Sequence, residues 1–286
     1  MLPLTQLAVG ALIACVALDQ LLPGGLHAGA RFTLAGCAAL AGLAGLISST
    51  LHLGRPLYAF RAFLGLRTSW LSREIVGFGG WFNTVLLYVA LLAWDPELFN
   101  GSAKLALGGG VVATGLAAVF CSAMIYVDTP RALWARWQTV ADFFLTTAAL
   151  GSAAALTLVA WPGALPAGAA AALALTIASA TIAQFLLDGT RRGPALDGTR
   201  VLLAGVLRPA ADTRSVLRVF GALALPVLVV LLAGPGDVST PALLALALPC
   251  LALTFAGELM ARWLFFTSVV PPKMPGQVGV QTGVAP

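Results

Sequence analysis

His52 and Glu74 stand at facing ends of two neighbouring apolar runs, with side chains suited to moving protons. An imidazole that titrates near pH ~6.5 and a carboxylate beside it can take and give protons in turn. The dipole at a helix C-terminus favours a protonated histidine, and that at an N-terminus favours a carboxylate. If the two runs are antiparallel helices, both groups lie at one membrane face. Arg55 and Arg73 flank the pair and could stabilise an anionic intermediate. The same residues also fit a helix-capping histidine and an interfacial Glu–Arg pair. Residue types alone leave both readings open.

Other chemistry has weaker support. Cys15, Cys37, Cys121 and Cys250 lie far apart, each inside an apolar run, without a metal-binding spacing. They read as buried thiols, and no iron–sulfur cluster is expected in this chain. The two histidines, His27 and His52, fall at opposite ends of the runs and cannot jointly ligate one haem, so none is expected. No metal site and no catalytic residue is expected in this chain. Asp142 begins an apolar run, and Glu258 precedes Arg262 by four residues, the spacing of a helical ion pair. Asp19, Asn83 and Gln184 are single polar groups in apolar surroundings. Ionisable groups within a membrane are functional candidates, yet these trace no continuous path across it.

The elements that would position these groups are transmembrane helices. Of 286 residues, 59% are hydrophobic and 9% charged, far below the ~25% charged share of a soluble domain. The apolar runs have the length that crosses a hydrocarbon core as a helix. They are rich in Ala, Leu and Gly, which let membrane helices approach closely, and lack the alternation of a β-barrel strand. The expected fold is an all-α integral membrane bundle of about eight helices, at 4–22, 32–52, 73–94, 103–127, 139–160, 166–187, 215–233 and 241–268. It forms one membrane domain over 1–286. The first run has no basic stretch before it and reads as a retained helix. Pro226 and Pro249 fall inside the last two helices, which neighbouring groups can tolerate.

With eight spans, both termini and the even-numbered loops share one face. That face carries 14 of the 16 Lys and Arg residues, leaving Arg31 and Lys104 for the other. The positive-inside rule places the basic face, and both termini, in the cytoplasm. The expected location is the inner membrane, multi-pass, among lipid, with no nucleic-acid partner. The second and sixth loops are long and basic, as orientation signals or as a platform for a soluble partner.

Residues 48–75 read SSTLHLGRPLYAFRAFLGLRTSWLSREI, 126–146 read YVDTPRALWARWQTVADFFLT, and 257–276 read GELMARWLFFTSVVPPKMPG. These segments resemble the anchor subunit of the dimethyl sulfoxide reductase complex and its relatives among molybdopterin oxidoreductases. The resemblance covers essentially the whole chain. It implies a complex in which a molybdopterin catalytic subunit and an iron–sulfur subunit dock on the cytoplasmic face. The anchor exchanges electrons with a membrane quinone, either ubiquinone or menaquinone. The family's quinol-linked histidine and glutamate fall on His52 and Glu74, with Arg55 also in the motif. His52 would then hydrogen-bond a quinone oxygen and Glu74 relay protons, under the second loop between the second and third helices, with the fifth closing the pocket. Arg61, Arg67 and Arg131 would serve docking. The cytoplasmic placement favours quinone reduction for a sulfite dehydrogenase. The alternative within the family is the anchor of a sulfoxide-type reductase oxidising menaquinol. From another class, the alternative is a transporter or channel.

Overall fold

The computed structural model describes residues 1–51, 56–94, 101–129, 134, 137–161, 165–190, 211–232 and 240–267. His52, Arg55 and Arg131 lie outside the described residues. Among the described residues the chain is all-helical, with eight helices long and apolar enough to cross a membrane. They are α1 (Leu2–Leu21), α2 (Ala28–Leu51), α3 (Trp70–Trp94), α4 (Ser102–Val127), α5 (Trp137–Ala160), α6 (Ala167–Thr190), α7 (Ala211–Leu232) and α8 (Thr240–Thr267). A ten-residue 3-10 helix, Pro56–Gly65, lies between α2 and α3.

Local chemistry explains several helix ends. The turn after α1 uses Gly24 and Gly25 at φ +81° and +74°, a conformation that a Cβ disfavours. The α3 helix starts at Trp70, three residues before the expected start at residue 73. Its cap is Ser69, whose Oγ accepts the Ser72 N–H at 3.3 Å. In α7 the backbone widens into a π turn over Phe220–Ala224, just ahead of Pro226. Proline lacks an N–H and crowds the carbonyl four residues back, and a widened turn relieves that conflict. Pro249 sits inside α8, where Thr157 of α5 donates to the nearby Ala247 carbonyl at 3.1 Å.

The bundle is built around α1 and α5, the two most deeply buried spans. On one side α1 packs against α2 and α4, and α3 closes the group by packing on α4 and α2. On the other side α5 packs against α6 and α8, with α7 seated between those two. The two central helices meet backbone to backbone. A Cβ on Gly151 would lie 2.1 Å from the Gly10 carbonyl carbon, and one on Gly10 would lie 2.0 Å from the Thr147 carbonyl oxygen. Small residues at such a crossing bring two helices into full van der Waals contact, which drives association where lipid removes the hydrophobic advantage.

This crossing predicts a sharp contrast between glycines. Gly151→Val forces the central pair apart, and overpacking of this kind costs about 1–3 kcal/mol or more. It should abolish the monodisperse species in detergent size-exclusion chromatography. Gly36→Ala, where a Cβ meets no atom within 4 Å, should elute as wild type. A normal profile for Gly151→Val would contradict the close crossing.

Candidate functional site

Glu74 lies in the first turns of α3 and is buried. It lines a cavity of about 220 Å³ together with Met1 and Thr5 of the α1 end, Leu46, Ser49 and Thr50 of α2, and Ile75, Phe78 and Gly79 of α3. The cavity therefore lies between the last turns of α2 and the first turns of α3. It is closed by α1, not by α5. One carboxylate and three hydroxyls sit on an otherwise apolar lining.

The hydroxyls differ in how they are engaged. Thr5 Oγ1 donates to the Leu2 carbonyl at 3.0 Å, and Thr50 Oγ1 to the Ile47 carbonyl at 2.8 Å. Ser48, beside them on α2, donates to the Ala44 carbonyl at 2.7 Å. Ser49 faces the cavity and has no hydrogen-bond partner among the described residues. It is thus the lining hydroxyl available to a ligand. The Glu74 carboxylate is held from behind, where Ser122 Oγ of α4 donates to Oε1 at 2.5 Å.

The other expected site residues are placed differently. Arg73 turns away from the cavity towards the loop before α3. Its Nε donates to the Leu66 carbonyl at 2.8 Å and its NH2 to the Arg67 carbonyl at 3.0 Å. The guanidinium stacks 4.2 Å above the Trp70 ring. Arg73 thereby fixes the path of the chain into α3. Arg61 and Arg67 are exposed on the even-loop face, next to exposed Phe60, Phe63 and Leu64. Ala62 of the same 3-10 helix is buried.

A second polar region lies on the opposite side of α1. Arg218 of α7 donates to Glu258 Oε1 of α8 at 2.9 Å and to Asp188 Oδ2 of α6 at 3.2 Å. Arg214 shares Asp188. Thr146 of α5 donates to Glu258 Oε2 at 2.7 Å and accepts from Gln184 of α6 at 3.1 Å. Arg262 lies 3.7 Å from Asp142, donates to Gln6 Oε1 of α1 at 3.3 Å, and sits 4.0 Å above the Phe143 ring. Glu258 is thus paired across helices with Arg218, while Arg262, its neighbour four residues on, reaches towards α5 and α1. The i,i+4 spacing pointed to a different partner from the one that packing supplies. Three arginines and three acids, six charges in all, are neutralised among α5, α6, α7 and α8.

At the odd-loop end, Asp19 is not isolated. It accepts from Arg31 at 3.1 Å and from the Leu26 N–H at 3.1 Å, and Lys104 lies 2.7 Å away. The two cations of that face are therefore tied to one buried carboxylate. Asn83 donates to the Gly79 carbonyl of its own helix at 2.8 Å and remains exposed to the lipid side. Ser122, Ser49, Thr146, Gln6 and Arg218 were not singled out by sequence. Arg218 was findable, as a charge inside an apolar run. A lone serine in such a run carries no comparable signal. No group of three or more metal-ligating acids, histidines or cysteines occurs among the described residues.

A family model described as DMSO reductase anchor subunit (DmsC) matches residues 2–267. A subunit of the sulfite dehydrogenase of Allochromatium vinosum is 40% identical over 119 residues, covering 38% of this chain and 36% of that protein. The chain thus spans little more than a third of the length of the curated relative it matches. No solved structure matches the chain.

The ion network can be tested through its pairing. Arg218→Ala leaves Glu258 buried with one cation fewer, a loss that typically costs about 3–5 kcal/mol. A large fall in the detergent melting temperature is expected. Combining it with Glu258→Ala should cost clearly less than the sum of the two single variants, because the second change removes the uncompensated charge. Strict additivity would show that the two side chains do not act as a pair.

Proposed function

We propose that this chain, which belongs to the DMSO reductase anchor subunit family, binds a membrane quinone in the cavity beside Glu74. From there it passes electrons between that quinone and an iron–sulfur subunit of its oxidoreductase complex. The cavity is the observation that carries this reading. It opens among helix ends rather than in the middle of the bundle, offers room for one ring, and is apolar apart from a carboxylate and hydroxyls. Such a lining suits a flat, apolar ring with two polar oxygens.

Quinone reduction consumes two electrons and two protons, and oxidation of the quinol releases them. Glu74 is the carboxyl group in the cavity wall that gives or takes a proton, and Ser49 is a hydroxyl donor to a quinone oxygen. His52 follows the last described turn of α2 by one residue in sequence and is the second proposed ligand, with Arg55 three residues further along the sequence. Arg73 contributes by holding the loop ahead of α3. No haem or iron–sulfur cluster of this chain takes part, so electrons pass directly between the quinone and a cluster of the docked subunit. That subunit and a molybdopterin catalytic subunit sit on the even-loop face. The exposed aromatics Phe60 and Phe63 beside Arg61 and Arg67 support a protein interface there, since aromatic and arginine side chains dominate interface energetics.

The charge asymmetry supports an inner-membrane orientation with both termini and the docked subunits in the cytoplasm. Allowing for Arg214, Arg218 and Arg262, which are engaged by acids within the bundle, the even-loop face remains the more basic by sequence. The similarity to a sulfite dehydrogenase subunit supports electron flow from a cytoplasmic dehydrogenase of the sulfite type into the quinone pool. The family's description supports the reverse reading, an anchor that oxidises menaquinol for a sulfoxide-type reductase. Transport by this chain alone is the reading from another class.

Purification through a tag on this chain in mild detergent should bring two larger partners, with molybdenum or tungsten and with iron. The substrate that reduces or oxidises their clusters then fixes the direction. A lone, metal-free chain from an intact membrane would remove the anchor reading. Within the complex, Glu74→Gln and His52→Ala should each lower quinone-linked turnover by about 10²-fold or more, while dye-linked turnover of the partner subunits stays at the wild-type level. Unchanged quinone-linked turnover in Glu74→Gln would exclude the cavity as the quinone site.

A further inference from the structure

Hydroxyl side chains in these helices bond by default to their own backbone. Thr84, Thr114, Thr147 and Thr181 each donate to a carbonyl three or four residues earlier in the same helix. Ser122 does not. Its hydroxyl, in a residue only 1% exposed, crosses to α3 and donates to Glu74 Oε1 at 2.5 Å. From the geometry of this contact we infer that Ser122 is a positioning residue for Glu74. It lies outside the cavity lining and holds the carboxyl in the orientation from which it exchanges a proton with bound quinone. The inference rests on the quinone reading of the cavity.

The contact follows from the packing of α3 on α4. The two helices run antiparallel and approach through small residues at regular steps. At one level a Cβ on Gly115 would stand 2.9 Å from the Trp81 indole nitrogen, so only glycine fits beneath the ring. One turn nearer the even-loop face, Gly77 lies against Ala118, with 3.5 Å between its would-be Cβ and the Ala118 Cα. One turn further, the same register sets Ser122 opposite Glu74. The spacing Gly115–Ala118–Ser122 on α4 thus mirrors Trp81–Gly77–Glu74 on α3, and small residues on both helices set the separation at which the serine oxygen reaches the carboxylate.

A carboxyl group on a two-carbon stem has several rotamers, and only some direct it to a ligand in the cavity. A donor fixed on a neighbouring helix selects among them before the ligand arrives. Misplacing a reacting group by about 1 Å can cost ~10²-fold in rate. The contribution of Ser122 is therefore expected in kcat rather than in quinone affinity.

The test is a double-mutant cycle on the assembled complex in membranes, with quinone-linked and dye-linked turnover measured side by side. Ser122→Ala should lower quinone-linked kcat by about tenfold to 10²-fold, with the quinone KM within about twofold of wild type and dye-linked turnover unchanged. Ser122→Thr, which keeps the hydroxyl, should recover most of the loss. In a Glu74→Gln background, Ser122→Ala should have little further effect, because the group it positions is already disabled. Loss of turnover that is equally large in both backgrounds would mean that Ser122 acts on packing, and would overturn the inference. Wild-type turnover in Ser122→Ala, with Glu74→Gln impaired, would overturn it while leaving the quinone site standing. Wild-type turnover in Glu74→Gln would remove both.

Discussion

The close crossing of α1 and α5 is the constraint on which the rest of the bundle depends. In a bilayer the lipid chains are as apolar as the helix surfaces, so two helices gain by association only what contact and hydrogen bonding supply. Gly10 and Gly151 allow the two backbones to touch, which fixes the rotation of α1 as well as its distance from α5. That rotation has a direct consequence two turns or less from the even-loop end. Thr5 faces α2 and α3 and lines the cavity, whereas Gln6 faces α5 and α8, where its amide donates to the Phe143 carbonyl at 3.2 Å and its oxygen accepts from Arg262. One helix thereby forms a wall of the candidate quinone site and a wall of the ion network.

The two halves of the bundle meet different demands. The α2–α3–α4 group is assembled through glycine and alanine contacts, and it leaves space beside Glu74. The α6–α7–α8 group is held by charge. Four of the six ionisable side chains, Asp142, Arg218, Glu258 and Arg262, are buried, which is costly unless each is matched, and the partners come from four helices, so none of those helices can shift without exposing an uncompensated charge. The network also steadies the π turn ahead of Pro226. A helix that is locally widened needs an anchor near the distortion, and Arg218, two residues before the turn, supplies one to both α6 and α8.

Much of the architecture was legible because the bilayer imposes it. Apolar runs of spanning length, punctuated by Gly, Pro and Asp, can do little but form helices, and eight of them appear. Glu74 was legible as an acid at the start of such a run. What the sequence could not supply was the rotation of each helix about its axis. Glu258 and Arg262 have ideal helical spacing, yet tertiary packing offered each a partner on another helix. Asp19 looked solitary because Arg31 and Lys104, its partners, are 12 and 85 residues away in sequence. Ser122 and Ser49 were invisible for the same reason, since a serine in an apolar run acquires meaning only when the helix opposite it is known.

Electron transfer between a bilayer-soluble carrier and a soluble subunit requires the two to approach across the membrane boundary. Under the proposed quinone reading, the segment from Pro56 to Trp70 is the part of the chain that bears on this requirement. Its inner side is tied to the site, since Ala62 is buried, the Leu66 and Arg67 carbonyls are held by Arg73, and Ser69 caps the helix that carries Glu74. Its outer side presents Phe60, Arg61, Phe63, Leu64 and Arg67. A subunit docked on that surface would sit against the segment that leads into α3, the helix whose first turns carry Glu74. Contact with the docked partner would also bear on the start of α3, so docking and the position of the Glu74 carboxyl would be mechanically linked through the same fifteen or so residues.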